Sequence, residues 1–319
     1  MFKVCLAGNY PAGTLESFKE ALPADQFEVI EADTKEKFDA VTDADAVILR
    51  ILKMPKETFA RFTNLKVVIR WGAGYDSVDI EEAGRRGIKV CNTPGANAYA
   101  VAELAVDLML ALGRHLTGYF KNVCEGNWDR GAFNATSLNG KIVGLVGGGN
   151  IGRQVAQRVK AFGSKVIYYD AFRLPADMEK KFDLIYVELD ELLKKSDVVS
   201  LHIPLLDSTR HILDEAKLSL MKPNALLINT ARGGLVDDAA LVEALKANKL
   251  TAAGLDCVEN EDSQATKDLC QMENVIITPH VGGTTNDLAS AMIPMIVENI
   301  LEVNAGKPVS HVVNSEFLA

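Results

Sequence analysis

The chain has 319 residues, of which 48% are apolar and 24% charged, with a formal net charge of −9 and an isoelectric point near 5.2. That length suits two domains of ordinary size, and the composition is that of a soluble globular protein. The acidic balance excludes a non-specific binder of nucleic acid or of an anionic membrane, so an anionic ligand has to be held by local cations.

The opening MFKVCLAG predicts a strand rather than a signal peptide, because its apolar run is short and no cleavage pattern follows. No run approaches the roughly 18 apolar residues of a membrane span, and a cytoplasmic location is expected. The five cysteines (Cys5, Cys91, Cys124, Cys257 and Cys270) are odd in number, scattered and without a CxxC pair. Most sit in apolar runs, which predicts buried structural thiols and no metal site.

Along the first ninety or so residues, short apolar runs alternate with amphipathic segments. Phe2–Leu6, Phe27–Ile30, Ala46–Ile51, Val67–Arg70 and Ile88–Cys91 are expected as strands, with Thr14–Leu22 and Ile80–Arg86 as helices between them. Such alternation implies a parallel sheet covered on both faces. The block lacks a phosphate-binding fingerprint of its own. A denser apolar stretch, Asn97 to about Leu116, predicts a mostly buried helix leading out of this first domain and packing between the two. Asn122–Gly140 has no clear period and is expected as an ordered surface excursion.

The next stretch, Lys141–Asp170, predicts strand, turn, helix and strand. Gly147-x-Gly149-x-x-Gly152 follows the apolar run Ile142–Val146, and Val155, Val159 and Phe162 then recur at helical spacing. This is the setting in which a glycine fingerprint binds a dinucleotide. Gly147 permits the tight turn, Gly149 admits the pyrophosphate to the backbone, and Gly152 lets helix and strand pack closely. The helix N-terminus offers free N–H groups to the phosphates. Asp170, eighteen residues after Gly152, ends the second strand, where an acid accepts from the ribose hydroxyls and repels a 2′-phosphate. NAD is therefore expected over NADP, with Arg173 the one feature against it.

Further strands are expected at Val198–Ile203, Ala225–Asn229, Ala252–Leu255 and Val275–Ile277, with helices at Leu189–Lys195, Ala239–Ala247 and about Asp287–Asn304. Several end in residues able to do chemistry, and in a parallel sheet ligands bind beyond the carboxyl ends of the strands. His202 and His280 both stand at such ends. His280, on the Gly-rich turn of VIITPHVGG, is the stronger candidate for a proton donor, and His202 in SLHIPL the weaker. His115, His211 and His311 are expected to be structural or solvated. Arg232 in NTARGG can fork onto a carboxylate, or else form a surface salt bridge. An acid from the cluster Glu259, Glu261 and Asp262 could support His280, and spacing alone does not choose among them.

Seven motifs then carry a collinear resemblance over about Val67–Gly283: RWGAGYDSVDI, NTPGANAYAVAEL, GLVGGGNIG, SLHIPLLDSTRHIL, NTARGGLVDDAAL, GLDCVENE and TPHVGG. The chain resembles the NAD-dependent D-2-hydroxyacid dehydrogenases. The resemblance implies an α/β fold of two parallel-sheet domains, Rossmann-like or flavodoxin-like, with the active site in a cleft between them. It places residues 1–98 and 288–319 in a substrate domain and 99–287 in an NAD domain. It implies reversible hydride transfer between NAD and a small 2-oxo or 2-hydroxy acid, and a homodimer formed through the cofactor domain.

By the same resemblance, Arg232 holds the substrate carboxylate with help from the N–H groups of Ala73 and Gly74, and His280 moves the proton with Glu261 behind it. Glu261 is placed by its offset of five from Asp256, with Glu259 as the alternative. The cofactor would be met by Thr93, Val101, Gly147, Gly149, Asn150, Ile151, Gly152, Asp170, Ile203, Pro204, Thr209, Thr230, Ala231, Asp256, Gly282 and Gly283. Asp262 stands where the family often has proline, and Trp71 is expected to narrow the substrate pocket or stack on it.

Arg50 and Arg70 both end strands of the first domain and resemble the phosphate-binding pair of the 3-phosphoglycerate dehydrogenases, which makes a phosphorylated substrate the alternative. A second alternative is a non-catalytic, NAD-sensing scaffold like the corepressors built on this fold. The absence of Pro/Ser-rich flanks and of a basic patch speaks against it.

Overall fold

The structure is a computed structural model, and it describes residues 1–318. The chain divides into two compact units, Met1–Asn97 together with the chain from Thr284 onward, and Ala98–Gly283.

The first unit is built on a five-stranded parallel sheet. Its strands are β1 (Phe2–Ala7), β2 (Phe27–Ala32), β3 (Ala46–Leu49), β4 (Val67–Arg70) and β5 (Lys89–Cys91), in the order β2-β1-β3-β4-β5. All four residues of β3 are buried, the pattern of a central strand covered on both faces. The order reverses between β1 and β3, so the crevice beyond their carboxyl ends is this sheet's natural ligand position. The tail closes on the same unit. Asn314 accepts from Val90 N at 2.8 Å and donates to Ile88 O at 2.9 Å, which covers the edge strand β5.

The second unit carries seven parallel strands: β6 (Ile142–Val146), β7 (Lys165–Tyr169), β8 (Ile185–Tyr186), β9 (Val198–Leu201), β10 (Leu226–Asn229), β11 (Ala252–Leu255) and β12 (Val275–Ile277). Their order is β12-β11-β10-β9-β6-β7-β8, so the chain runs outward from β6 one way and returns to continue from β9 the other way. The switch point lies between β6 and β9. Strands β9, β10 and β11 are buried throughout, and each buried Val, Leu or Ile contributes about 1.5–3 kcal/mol.

The apolar helix Ala98–Gly113 belongs to this second unit and packs on β10, β11 and the helix Asn150–Ala161. It ends earlier than its apolar run because His115 takes a left-handed φ of 51°. A second helix, Leu116–Cys124, fills part of the stretch expected to be irregular. Cys5 and Cys91 are buried as expected, whereas Cys124 and Cys270 are exposed; all five thiols are free. Among the described residues no helix is long and apolar enough to cross a membrane, and no cluster of side chains could hold a metal ion.

Candidate active site

Six strands of the second sheet deliver the residues of interest to one edge. Gly147 follows β6, Asp170 follows β7, His202 follows β9, Thr230 follows β10, Asp256 follows β11, and His280 lies three residues beyond β12. All of these strands run parallel, so every one of these residues stands at a carboxyl end.

The glycine turn is held from several sides. Gly147 has φ 113°, and a β-carbon there would lie 2.6 Å from the His202 carbonyl oxygen. A β-carbon on Gly152 would lie 2.1 Å from the Gly147 oxygen, so helix and turn touch backbone to backbone. At Gly149 nothing lies within 4 Å, which leaves the approach to the turn open. Asp170 accepts from Gly148 N at 2.8 Å and from Phe172 N at 3.1 Å, so the acid closes the turn with part of its capacity and keeps lone pairs for a ribose.

Arg173 does not wait for a 2′-phosphate. It pairs in two places with Glu179 (2.8 and 3.0 Å) and lies 5.2 Å from the Tyr186 ring centre. Sequence reading passes over Arg153, which donates to Gly148 O at 2.8 Å and to Asn150 Oδ1 at 2.7 Å and so brings a cation to the glycine turn.

These residues fit a dinucleotide. Besides the open face at Gly149, the buried hydroxyl of Thr230 has no hydrogen-bond partner among the described residues, which suits a site that completes itself with a ligand. Pro204 is exposed and Ile203 half-buried, and Thr209 ties down their loop by donating to Pro204 O at 2.8 Å. Ala231 is buried and donates to Asn229 Oδ1 at 3.1 Å. Val101 is buried against Gly282, and Gly283 follows on the same turn. Thr93 lies in the first unit, where its hydroxyl accepts from Gly72 N at 2.9 Å.

Asp256 organises the turn that carries His280. Its buried carboxylate accepts from Thr278 Oγ1 (2.6 Å), Val281 N (2.8 Å) and Gly282 N (2.8 Å), and its carbonyl accepts from His280 N (2.9 Å). The turn holds His280 at φ 54° with its side chain exposed. The other histidine is placed quite differently. His202 bonds Ser200 Oγ through Nε2 at 2.9 Å, its Nδ1 is sealed without a partner, and burial pulls its pKa down to about 3. It stays neutral at physiological pH.

Arg232 stands in extended conformation between β10 and the Gly233-Gly234 turn, with Nη1 donating to Ala231 O at 2.7 Å and its carbonyl accepting from Asn229 Nδ2 at 2.9 Å. The two acids part company. Glu259 is bound to Arg210 and His211, whereas Glu261 is exposed and makes no hydrogen bond among the described residues. No ion pair joins Glu261 to His280 there, and catalytic hydrogen bonds commonly tighten only once substrate is bound.

In the first unit, Arg70 donates to Leu49 O (2.7 Å) and Gly74 O (3.1 Å), and Arg50 donates to Asn9 O. The N–H groups of Ala73 and Gly74 have no acceptor among the described residues. Trp71 departs from expectation. It is 6% exposed and packs its ring on Tyr10 at 5.1 Å and on Phe18 at 6.5 Å, so it serves the unit's own core.

Comparison with known proteins agrees with this geometry. Residues 106–282 match the family model for the NAD-binding domain of D-isomer-specific 2-hydroxyacid dehydrogenases. The chain is 41% identical to the hydroxypyruvate reductase of Thermotoga maritima over 82% of its own length and 85% of that protein's. It is 39% identical to the D-3-phosphoglycerate dehydrogenase of Methanocaldococcus jannaschii over 91% of its length, but spans only 55% of that longer chain. The crystal structure of a glyoxylate reductase from Paecilomyes thermophila superposes with a TM-score of 0.87 at 31% identity, covering 99% of both chains. The chain belongs to the D-isomer-specific 2-hydroxyacid dehydrogenase family and is an NAD-dependent oxidoreductase that acts on the CH–OH group of a 2-hydroxy acid.

Proposed function

We propose that the enzyme reduces a small 2-oxo acid, or oxidises its 2-hydroxy counterpart, with His280 as the proton donor and acceptor, Arg232 as the carboxylate clamp and Glu261 as the acid behind His280. The observation that carries the reading is the pair of strand-end histidines. His280 is held on an exposed, over-determined turn, and His202 is half-buried with its pKa pulled down to about 3.

NAD supplies the hydride position when bound, against the cradle of Gly147, Gly149, Asn150, Ile151 and Gly152. Arg232 offers two parallel donors, a geometry that orients a planar carboxylate as well as attracting it. His280 gives its proton to the developing alkoxide oxygen during reduction and takes it back during oxidation. Glu261, brought to the imidazole, raises its proton affinity and fixes its tautomer. The unpartnered N–H groups of Ala73 and Gly74 are further donors for the substrate.

A phosphorylated 2-oxo acid is the second reading, favoured by one observation. Arg50 is a half-buried cation whose acceptor among the described residues is a backbone carbonyl, Asn9 O, and burial pulls its pKa below the ordinary value. A cation without a carboxylate partner suits an anion on the ligand. Tyr10 lies within the field of both Arg50 and Arg70. Burial pushes its pKa well up, and the two arginines oppose that rise.

A panel of 2-oxo acids scored by kcat/KM with NADH tests both readings. Turnover of glyoxylate or hydroxypyruvate is expected, and no turnover of any 2-oxo acid would remove the enzyme assignment of this site. If the phosphorylated acid is the substrate, Arg50→Ala raises its KM by about 10-fold or more, the worth of one charge-assisted contact, and leaves the KM for glyoxylate alone. An unchanged KM discards the second reading.

A homodimer located in the cytoplasm completes the proposal. Leu116, Phe120, Val123 and Trp128 are 61, 71, 41 and 71% exposed on one short stretch of the second unit. The stretch adjoins a cavity of about 630 Å³ lined by Arg114, His115 and Asn134 among others. Apolar exposure concentrated in this way marks a surface made to be covered.

A further inference from the structure

The loop bearing Arg210 and His211, the turn after Arg232 and the start of the helix Asp238–Lys246 all contact Glu259 or its backbone, a residue that the proposed chemistry does not use. Glu259 accepts from Arg210 Nη1 at 2.7 Å with one oxygen and lies 2.8 Å from His211 Nε2 with the other. Its backbone N donates to Asp238 Oδ2 at 2.8 Å. The loop bearing Arg210 and His211 is stitched in turn to the segment after Arg232: His211 N donates to Gly234 O (2.8 Å), Leu213 N to Leu235 O (3.1 Å) and Asp237 N to Leu213 O (3.1 Å). The backbone at Val258–Glu259 presses on Gly233, where a β-carbon would lie 2.0 Å from the Val258 carbonyl and 2.4 Å from Glu259 N.

On its far side the loop is anchored as well. Asn260 accepts from Asp262 N through its side chain at 3.0 Å, and its carbonyl accepts from Thr266 Oγ1 at 2.9 Å, just before the helix Gln264–Cys270 that Ser263 caps. Glu261 lies between these anchors and is exposed, as are its neighbours Asn260 and Asp262.

We infer that Glu259 is a positioning residue for the reaction: through Arg210, His211 and Asp238 it fixes the loop carrying Glu261 against the turn that carries Arg232. Part-exposed ion pairs of this kind contribute little to overall stability, so fixing a loop is the larger effect available to them. The charged groups facing Glu259 and its amide are Arg210, His211 and Asp238, with Asp237 beside them. The inference rests on the reading of Glu261 as the acid behind His280.

A double-mutant cycle on the full-length enzyme tests it, with the best 2-oxo acid of the panel and NADH. Glu259→Ala is expected to lower kcat by about 10- to 100-fold, the cost of misplacing a catalytic group, with the NADH dissociation constant within about twofold of wild type. The basic limb of its kcat/KM–pH profile is expected to move to lower pH, in the same sense as that of Glu261→Gln. In the Glu261→Gln background the same change is expected to cost less than about threefold, because the two substitutions remove one function. Glu259→Gln, which keeps the reach and one acceptor oxygen, recovers most of kcat.

Wild-type kcat in Glu259→Ala, or its full cost persisting beside Glu261→Gln, would overturn the inference. Wild-type behaviour of Glu261→Gln alone would instead remove the reading of Glu261, a failure the cycle reports separately. If Glu259→Ala does not fold, Arg210→Met with His211→Asn removes the surface partners alone and must give the same loss.

Discussion

A histidine can exchange protons near neutral pH only where its charged form is tolerated. His202 fails that condition, because the half-buried ring has its Nδ1 cut off from solvent without a partner and burial pulls its pKa to about 3. His280 stands on an exposed turn instead. The choice between them depends on enclosure, which SLHIPL and TPHVGG only hint at. Asp238 shows the opposite shift. Burial pushes its carboxyl from 3.8 to about 6, with Glu259 and Asp237 adding to the rise. The folded state therefore holds the proton more tightly than the unfolded chain, and its contribution to stability is present below 3.8 and lost as pH rises through about 6. Asp238→Asn, which cannot ionise, should gain in Tm over wild type across that window and hold the gain above it. A Tm difference that does not change with pH would contradict this assignment. Arg173 is another residue whose role sequence left open. Glu179, six positions on, holds it in a two-point pair, and spacing cannot report that geometry.

Elements were more legible than residues. Apolar runs of four to six residues mark most of the strands, and the fingerprint within Lys141–Asp170 has the strand, turn and helix its spacing predicts. The short strand Ile185–Tyr186 and the helices Ala176–Phe182 and Gln264–Cys270 escape such reading, because two residues have no period and short polar helices rely on caps and tertiary packing. The hydrogen bonds that make a site out of turns are equally hidden. Asp256 is visible as a strand-end acid, but not as the acceptor for Thr278, Val281 and Gly282. Asp170 does comparable work on the glycine turn, and in the proposed site it also meets the ribose. Asp170→Ala should weaken NADH by about 1.5–3 kcal/mol, the worth of charged hydrogen bonds, and weaken NADPH less. Equal losses for the two cofactors, measured by fluorescence titration, would overturn the ribose assignment.

The whole molecule sets the electrostatic terms. A chain of net charge −9 repels an anionic substrate at long range, so such a substrate has to be met by local cations, and Arg50, Arg70 and Arg232 stand at strand ends. Both sheets share one topology at their switch points, with the first strand flanked by the second on one side and by a later strand on the other. That arrangement gathers Gly147, Thr230, Asp256 and His280 from distant parts of the sequence onto one edge. The apolar stretch around Phe120 belongs to the same scale, since it stays exposed among the described residues. Phe120→Asp should shift sedimentation from dimer toward monomer, and a wild-type profile would argue against this face as the interface.

The central claim is that the proton moves through His280 while the glycine turn independently holds the cofactor. Stopped-flow and steady-state measurements on His280→Ala test it most directly. In that variant kcat is expected to fall by about 10²- to 10⁴-fold, the usual contribution of a general acid, with NADH affinity unchanged within about twofold. A near-normal kcat would contradict it.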